Sequence, residues 1–110
     1  MKLKIVFIIG QLSIGGSETY LINLAAGLNK NKFEIEVVCL SDKLDLKQTL
    51  IDQGCKIHVI NPNFLRKPVT ILQLRKLINS INPHLIHSIG RSWYYGIPAS
   101  IGINSKVVIS

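Results

Sequence analysis

Five short apolar runs punctuate the chain, and between them apolar positions recur at helical spacing. The runs at Leu3–Ile9, 35–40, 56–60, 85–89 and Lys106–Ile109 are rich in Ile and Val. They are apolar throughout rather than alternating, as in strands covered on both faces. Between the first two runs, residues 17–29 place Tyr20, Leu21, Leu24, Ala25 and Leu28 on one helical face and end at Asn29-Lys30-Asn31. A second, shorter helix is predicted over about 45–53, stopped by Gly54. A third opens with Pro68, carries Ile71, Leu72, Leu74, Leu77, Ile78 and Ile81, sets Arg75 and Lys76 opposite the core, and ends at Asn82-Pro83. The fourth, over 92–103, contains Gly96, Pro98 and Gly102 and is expected to be short or kinked.

Strands that alternate with helices are joined by right-handed crossovers into a parallel sheet. The prediction is therefore one α/β domain over residues 1–110, a doubly wound, Rossmann-like sheet in the order 3-2-1-4-5 with helices on both faces. Ligands of such sheets bind beyond the carboxyl ends of the strands where the order reverses, here between the first and fourth strands. The loops available there are residues 10–18 and 87–93.

The first of these loops reads Gly10-Gln11-Leu12-Ser13-Ile14-Gly15-Gly16-Ser17-Glu18. A glycine turn leading from a strand into a helix brings backbone N–H groups and the positive end of the helix dipole to one unobstructed point, a natural seat for phosphate. Two nucleotide motifs are excluded. Gly16 stands where a P-loop needs lysine, and Leu12 stands where the dinucleotide fingerprint needs its second glycine. Glycines in such a turn also serve backbone conformation or close packing alone, so a ligand role and a purely conformational one both stand.

Composition narrows the class. The chain is 47% hydrophobic and 17% charged, yet no segment approaches the roughly 20 apolar residues that span a bilayer. Met1-Lys2-Leu3-Lys4 precedes only a short apolar run with no small-residue cleavage site, so the run reads as a buried strand and not as a secretion signal. Cys39 and Cys55 lack metal-ligand spacing and read as buried free thiols of a reducing compartment, which gives a cytoplasmic location. No metal site and no cofactor is expected.

Charge is distributed unevenly. All six carboxylates (Glu18, Glu34, Glu36, Asp42, Asp45, Asp52) precede residue 53 and balance six lysines there. The remaining residues carry Lys56, Arg66, Lys67, Arg75, Lys76, Arg91 and Lys106 with no acid, so the net charge of +7 resides wholly in the second half. The partner is expected to be anionic. Nucleic acid is disfavoured, because the bases are dispersed and the one aromatic cluster, Trp93-Tyr94-Tyr95, has only Arg91 beside it. A phospho-acceptor receiver domain shares the strand order, but Gly10-Gln11 and Asn61 occupy the places of its acidic residues.

The segment GQLSIGGSETYLINLAAGLNKNKFEIEVVCL resembles the opening of family 4 glycosyltransferases of the GT-B fold, in which G-G-x-E precedes an apolar helix and a strand. LRKLINSINPHLIHSIG resembles their helix, Asn-Pro turn and strand ending in histidine. The resemblance runs over essentially the whole chain. It implies transfer of a sugar from a nucleotide-sugar donor, as co-substrate, to a glycan or lipid-linked acceptor held mainly by the amino-terminal domain, in cell-surface polysaccharide synthesis.

By this resemblance Gly15 and Gly16 match the turn facing the donor diphosphate, and Glu18 matches the acidic residue at the helix start. Glu18 equally fits a carboxylate that stabilises the helix dipole. His87 matches the histidine closing the fourth strand, where it is able to orient acceptor hydroxyls or move a proton; a packed, hydrogen-bonded histidine is the other reading. Ile89 replaces the second histidine of the family's H-x-H, and Arg91, followed by Ser92, is placed to meet an anionic acceptor or to lie solvated in its loop. Arg66, Lys67, Arg75 and Lys76 offer a peripheral contact with the inner face of a membrane. The family's carboxyl-terminal, donor-binding domain has no counterpart in these residues. It is expected in cis or in trans, and the chain alone is expected to be inactive.

Overall fold

The computed structural model describes residues 3–10, 16–29, 31–40, 46–60, 67–89 and 106–109, and side chains at all of these except 16–18, 67, 68 and 109. The strands are β1 (Leu3–Ile9), β2 (Phe33–Cys39), β3 (Lys56–Val59), β4 (Leu85–Ser88) and β5 (Lys106–Ile109). The helices are α1 (Gly16–Gly27), α2 (Lys47–Asp52) and α3 (Lys67–Ile81). All four strand pairings are parallel and the sheet order is β3-β2-β1-β4-β5. This is the Rossmann-like order expected from the apolar runs. The predicted fourth helix, 92–103, lies outside the described residues.

Alternate residues of β1, β2 and β4 feed two separate cores. On one face Ile5, Phe7, Ile9, Ile35, Val37 and Cys39 pack with Leu21 and Ala25 of α1 and Leu50 of α2. On the other, Val6, Ile8, Val38, Leu40 and Ile86 pack with Leu74, Ile78 and Ile81 of α3. The sheet is thus covered on both sides, and this is why the strands are apolar without alternation. Cys39 and Cys55 are buried free thiols, as expected.

The turns follow their residue chemistry. After α2, Gly54 takes φ 86°, its N–H donates to the Ile51 carbonyl and the Cys55 N–H donates to the Leu50 carbonyl. That is a Schellman cap, with buried Cys55 and Leu50 sharing the same core. After α3, Asn82 adopts φ 54°, its N–H donates to the Ile78 carbonyl, and Pro83 prevents continuation. The Lys4 ammonium donates to the Ile81 carbonyl at 3.1 Å, so the carboxyl end of α3 sits at the start of β1. α3 therefore runs antiparallel to the strands, and its amino end lies at their carboxyl ends.

Two boundaries differ from expectation. β2 starts two residues early, at Phe33, because Leu3 and Phe33 are already in register. α2 is shorter than predicted, since Leu46 at its amino end supplies no side-chain cap.

Candidate functional site

The expected crevice lies where β1 and β4 run side by side and end. Register pairs Phe7 with His87 and Ile8 with Ser88, and the Ile89 N–H donates to the Ile8 carbonyl just beyond. From the end of β1 the chain returns as α1, whose first residues are Gly16, Ser17 and Glu18. The two predicted loops thus start from adjacent strands.

A ring contact joins α1 to the end of β4. His87 is buried, 8% exposed, and faces the α1 side of the sheet. Its imidazole centroid is 5.4 Å from Phe7, tilted, and 6.2 Å from Tyr20, edge to face. Tyr20 belongs to the second turn of α1. The expectation that Tyr20 packs in the core with Leu21 is corrected: it is 44% exposed and lies against His87 instead. A tyrosine suits this position because its ring can cover an apolar neighbour while its hydroxyl stays wet. Sequence periodicity could not find the pair, which joins residues far apart in the chain.

Burial holds the His87 imidazole below its usual pKa, since the charged form loses hydration. At neutral pH the ring is uncharged and carries one N–H donor and one lone pair. That state can exchange hydrogen bonds with a hydroxyl group, and it adds no positive charge beside a helix terminus.

The other predicted site residues divide plainly. Gly16 and Glu18 are in the first turn of α1, as the motif required, though the Glu18 side chain is not among those described. Gly15, Arg91 and Ser92 lie outside the described residues, as do Trp93, Tyr94 and Tyr95. Gly10, at the end of β1, has no positive φ, and a Cβ built there meets nothing within 4 Å. Open space rather than backbone strain therefore surrounds this glycine among the described residues.

The remaining polar residues are structural or lie on the opposite face. Buried Glu36 accepts a hydrogen bond from the His58 ring at 2.7 Å, which compensates its removal from water. His84 Nδ1 accepts the Lys4 N–H at 2.9 Å. Ser88, wholly buried on the α3 side, has a hydroxyl with no hydrogen-bond partner among the described residues. No group of three or more His, Cys, Asp or Glu is placed to hold a metal among the described residues. No helix there is long and apolar enough to cross a membrane.

A family model described as glycosyl transferase 4-like matches residues 11–110. Among solved structures the chain is similar to a glycosyltransferase from Rickettsia africae ESF-5, with a TM-score of 0.76 and 22% identity. That match covers 98% of this chain and 29% of the other, so the chain spans less than a third of that structure's length. No curated protein matches the chain.

Proposed function

The chain belongs to the glycosyl transferase 4-like family, and from that premise we propose that it is the acceptor-side, amino-terminal domain of a sugar-transferring enzyme. The donor is a nucleotide sugar and the acceptor a glycan or lipid-linked glycan, with the reaction placed at the cytoplasmic side of a membrane in cell-surface polysaccharide synthesis. The observation that carries this reading is the Tyr20–His87 contact, which joins the start of α1 to the end of β4. A ligand in that crevice meets two complementary features. The helix amino terminus favours the donor's diphosphate, and neutral His87 binds and orients an acceptor hydroxyl. A nearby uncharged imidazole is also able to take up the proton that the hydroxyl loses. Gly15, Gly16, Glu18, Arg91 and Ser92 remain the proposed contacts along the two loops. Donor binding further requires the carboxyl-terminal domain, supplied in cis or in trans.

The test is sugar transfer by the chain joined to a donor-binding domain, with labelled nucleotide sugars and a membrane extract as acceptor. His87→Gln is expected to lower turnover about a hundredfold with an unchanged fold by far-UV circular dichroism. Equal turnover in the variant would remove His87 from the site. If no transfer occurs but uridine diphosphate still shifts the amide resonances of residues 16–20, the chain is instead a phosphate-ligand-binding domain without catalysis.

A further inference from the structure

Three rings lead outward from the core on the α1 side of the sheet. Exposure rises from Phe7, at 2%, through His87 to Tyr20, at 44%, and His87 touches both of the others. Tyr20 is thus held against a buried imidazole on one side and meets solvent on the other. A helical side chain leans toward the amino end of its helix, over the residue one turn earlier. For Tyr20 that residue is Gly16, and a glycine has no side chain to cover the ring. Asn23, on the same ridge one turn later, is exposed and leans toward Tyr20 by the same rule.

We infer that Tyr20 is the platform on which a pyranose ring of the acceptor stacks, an assignment that rests on the proposed transferase reading. The C–H bonds on the flat face of a pyranose are partly positive and the face of a phenol ring is negative, so the two attract as water leaves both. Small-molecule sites join such an apolar plane to a few polar groups that fix orientation, and here the Asn23 amide and the His87 imidazole flank the ring. Two observations separate this role from packing. A tyrosine serving the core alone would be buried like its neighbour Leu21, yet nearly half of Tyr20 is open. A tyrosine merely left on the surface would not be fixed by a ring contact at the switch point, where sheets of this order take their ligands. The placement also suits transfer. Gly16 is one helical turn, about 5.4 Å, from Tyr20, so a stacked ring lies close both to His87 and to the proposed seat of the donor diphosphate.

Titration of the chain with methyl β-D-glucopyranoside, methyl β-D-galactopyranoside and methyl N-acetyl-β-D-glucosaminide, followed by NMR, tests the platform without requiring turnover. At least one of them is expected to shift the Tyr20 ring resonances and to show upfield-shifted protons on its own ring face. Sorbitol, which has the hydroxyls without the flat ring, is expected to do neither. Tyr20→Phe keeps the plane and is expected to bind within about twofold of the parent. Tyr20→Leu keeps an apolar side chain without a π face and is expected to weaken binding about three- to tenfold, with an unchanged far-UV circular dichroism spectrum. In the chain joined to a donor-binding domain, Tyr20→Leu should raise the KM for the acceptor and leave that for the donor unaltered. The assignment is overturned by no shift with any of the three pyranosides, by an equal shift with sorbitol, by Tyr20→Leu binding as tightly as Tyr20→Phe, or by a rise in the donor KM instead. Transfer without a Tyr20 shift would defeat the platform and leave the transferase reading, whereas a pyranoside bound at Tyr20 in a chain that transfers nothing would leave the platform and defeat the transferase reading.

Discussion

Leu72 and Leu74 differ by two positions in one helix, and the fold assigns them opposite fates. Leu74 is wholly buried between α3 and the sheet, against Val6, Ile8, Val38 and Ile86. Truncation to alanine removes three carbons there. At about 0.8 kcal/mol per buried methylene the transfer loss is roughly 2.4 kcal/mol, and the unfilled cavity raises the total to about 3–4 kcal/mol. That is a large part of the roughly 5–15 kcal/mol that holds a domain of this size together. Leu72 is already 57% exposed. Its truncation loses little burial and gains slightly in helix propensity, so Leu72→Ala should fall within about 0.5 kcal/mol of the parent. Urea denaturation followed by far-UV circular dichroism measures both. With a slope near 1.5–2 kcal/mol per molar, Leu74→Ala should lower the midpoint by about 2 M and Leu72→Ala by less than about 0.3 M. Equal losses, or the larger loss at Leu72, would refute the orientation of α3.

Three further outcomes follow from the site and the turns. His87 has a lowered pKa through burial, so as pH falls through 6.5 the unfolded chain takes up its proton before the folded one does. The contribution is full above pH 6.5 and is lost below it, at up to about 1.4 kcal/mol per pH unit. The urea midpoint of the parent should accordingly drop more between about pH 7.5 and 5.5 than that of His87→Gln; parallel curves would show that His87 is not shifted. Gly54→Ala should cost about 1 kcal/mol, because φ is 86° there. Gly10→Ala should be neutral within about 0.5 kcal/mol, since a Cβ meets nothing within 4 Å. A costly Gly10→Ala would mean that the loop after β1 closes over it.

The sequence by itself determined the sheet and its order. Continuous apolar runs can be stable only when covered on both faces, and helices between parallel strands allow one hand of crossover. It determined the stops of α2 and α3 as well, because Gly54 and Asn82-Pro83 act through local backbone preferences. It also marked the ends of β1 and β4 as neighbours at the switch point, since strand order alone sets β1 beside β4. Only the tertiary structure decided the rest. Tyr20 has the right spacing for the core and lies on His87 instead, a choice made by contact between residues 67 positions apart. Leu72 and Leu74 are the same amino acid in the same helix, and composition cannot separate them. The sheet beneath α3 fixes the rotation of that helix, burying one leucine and leaving the other to solvent, because packing against a surface, unlike propensity, depends on where that surface is.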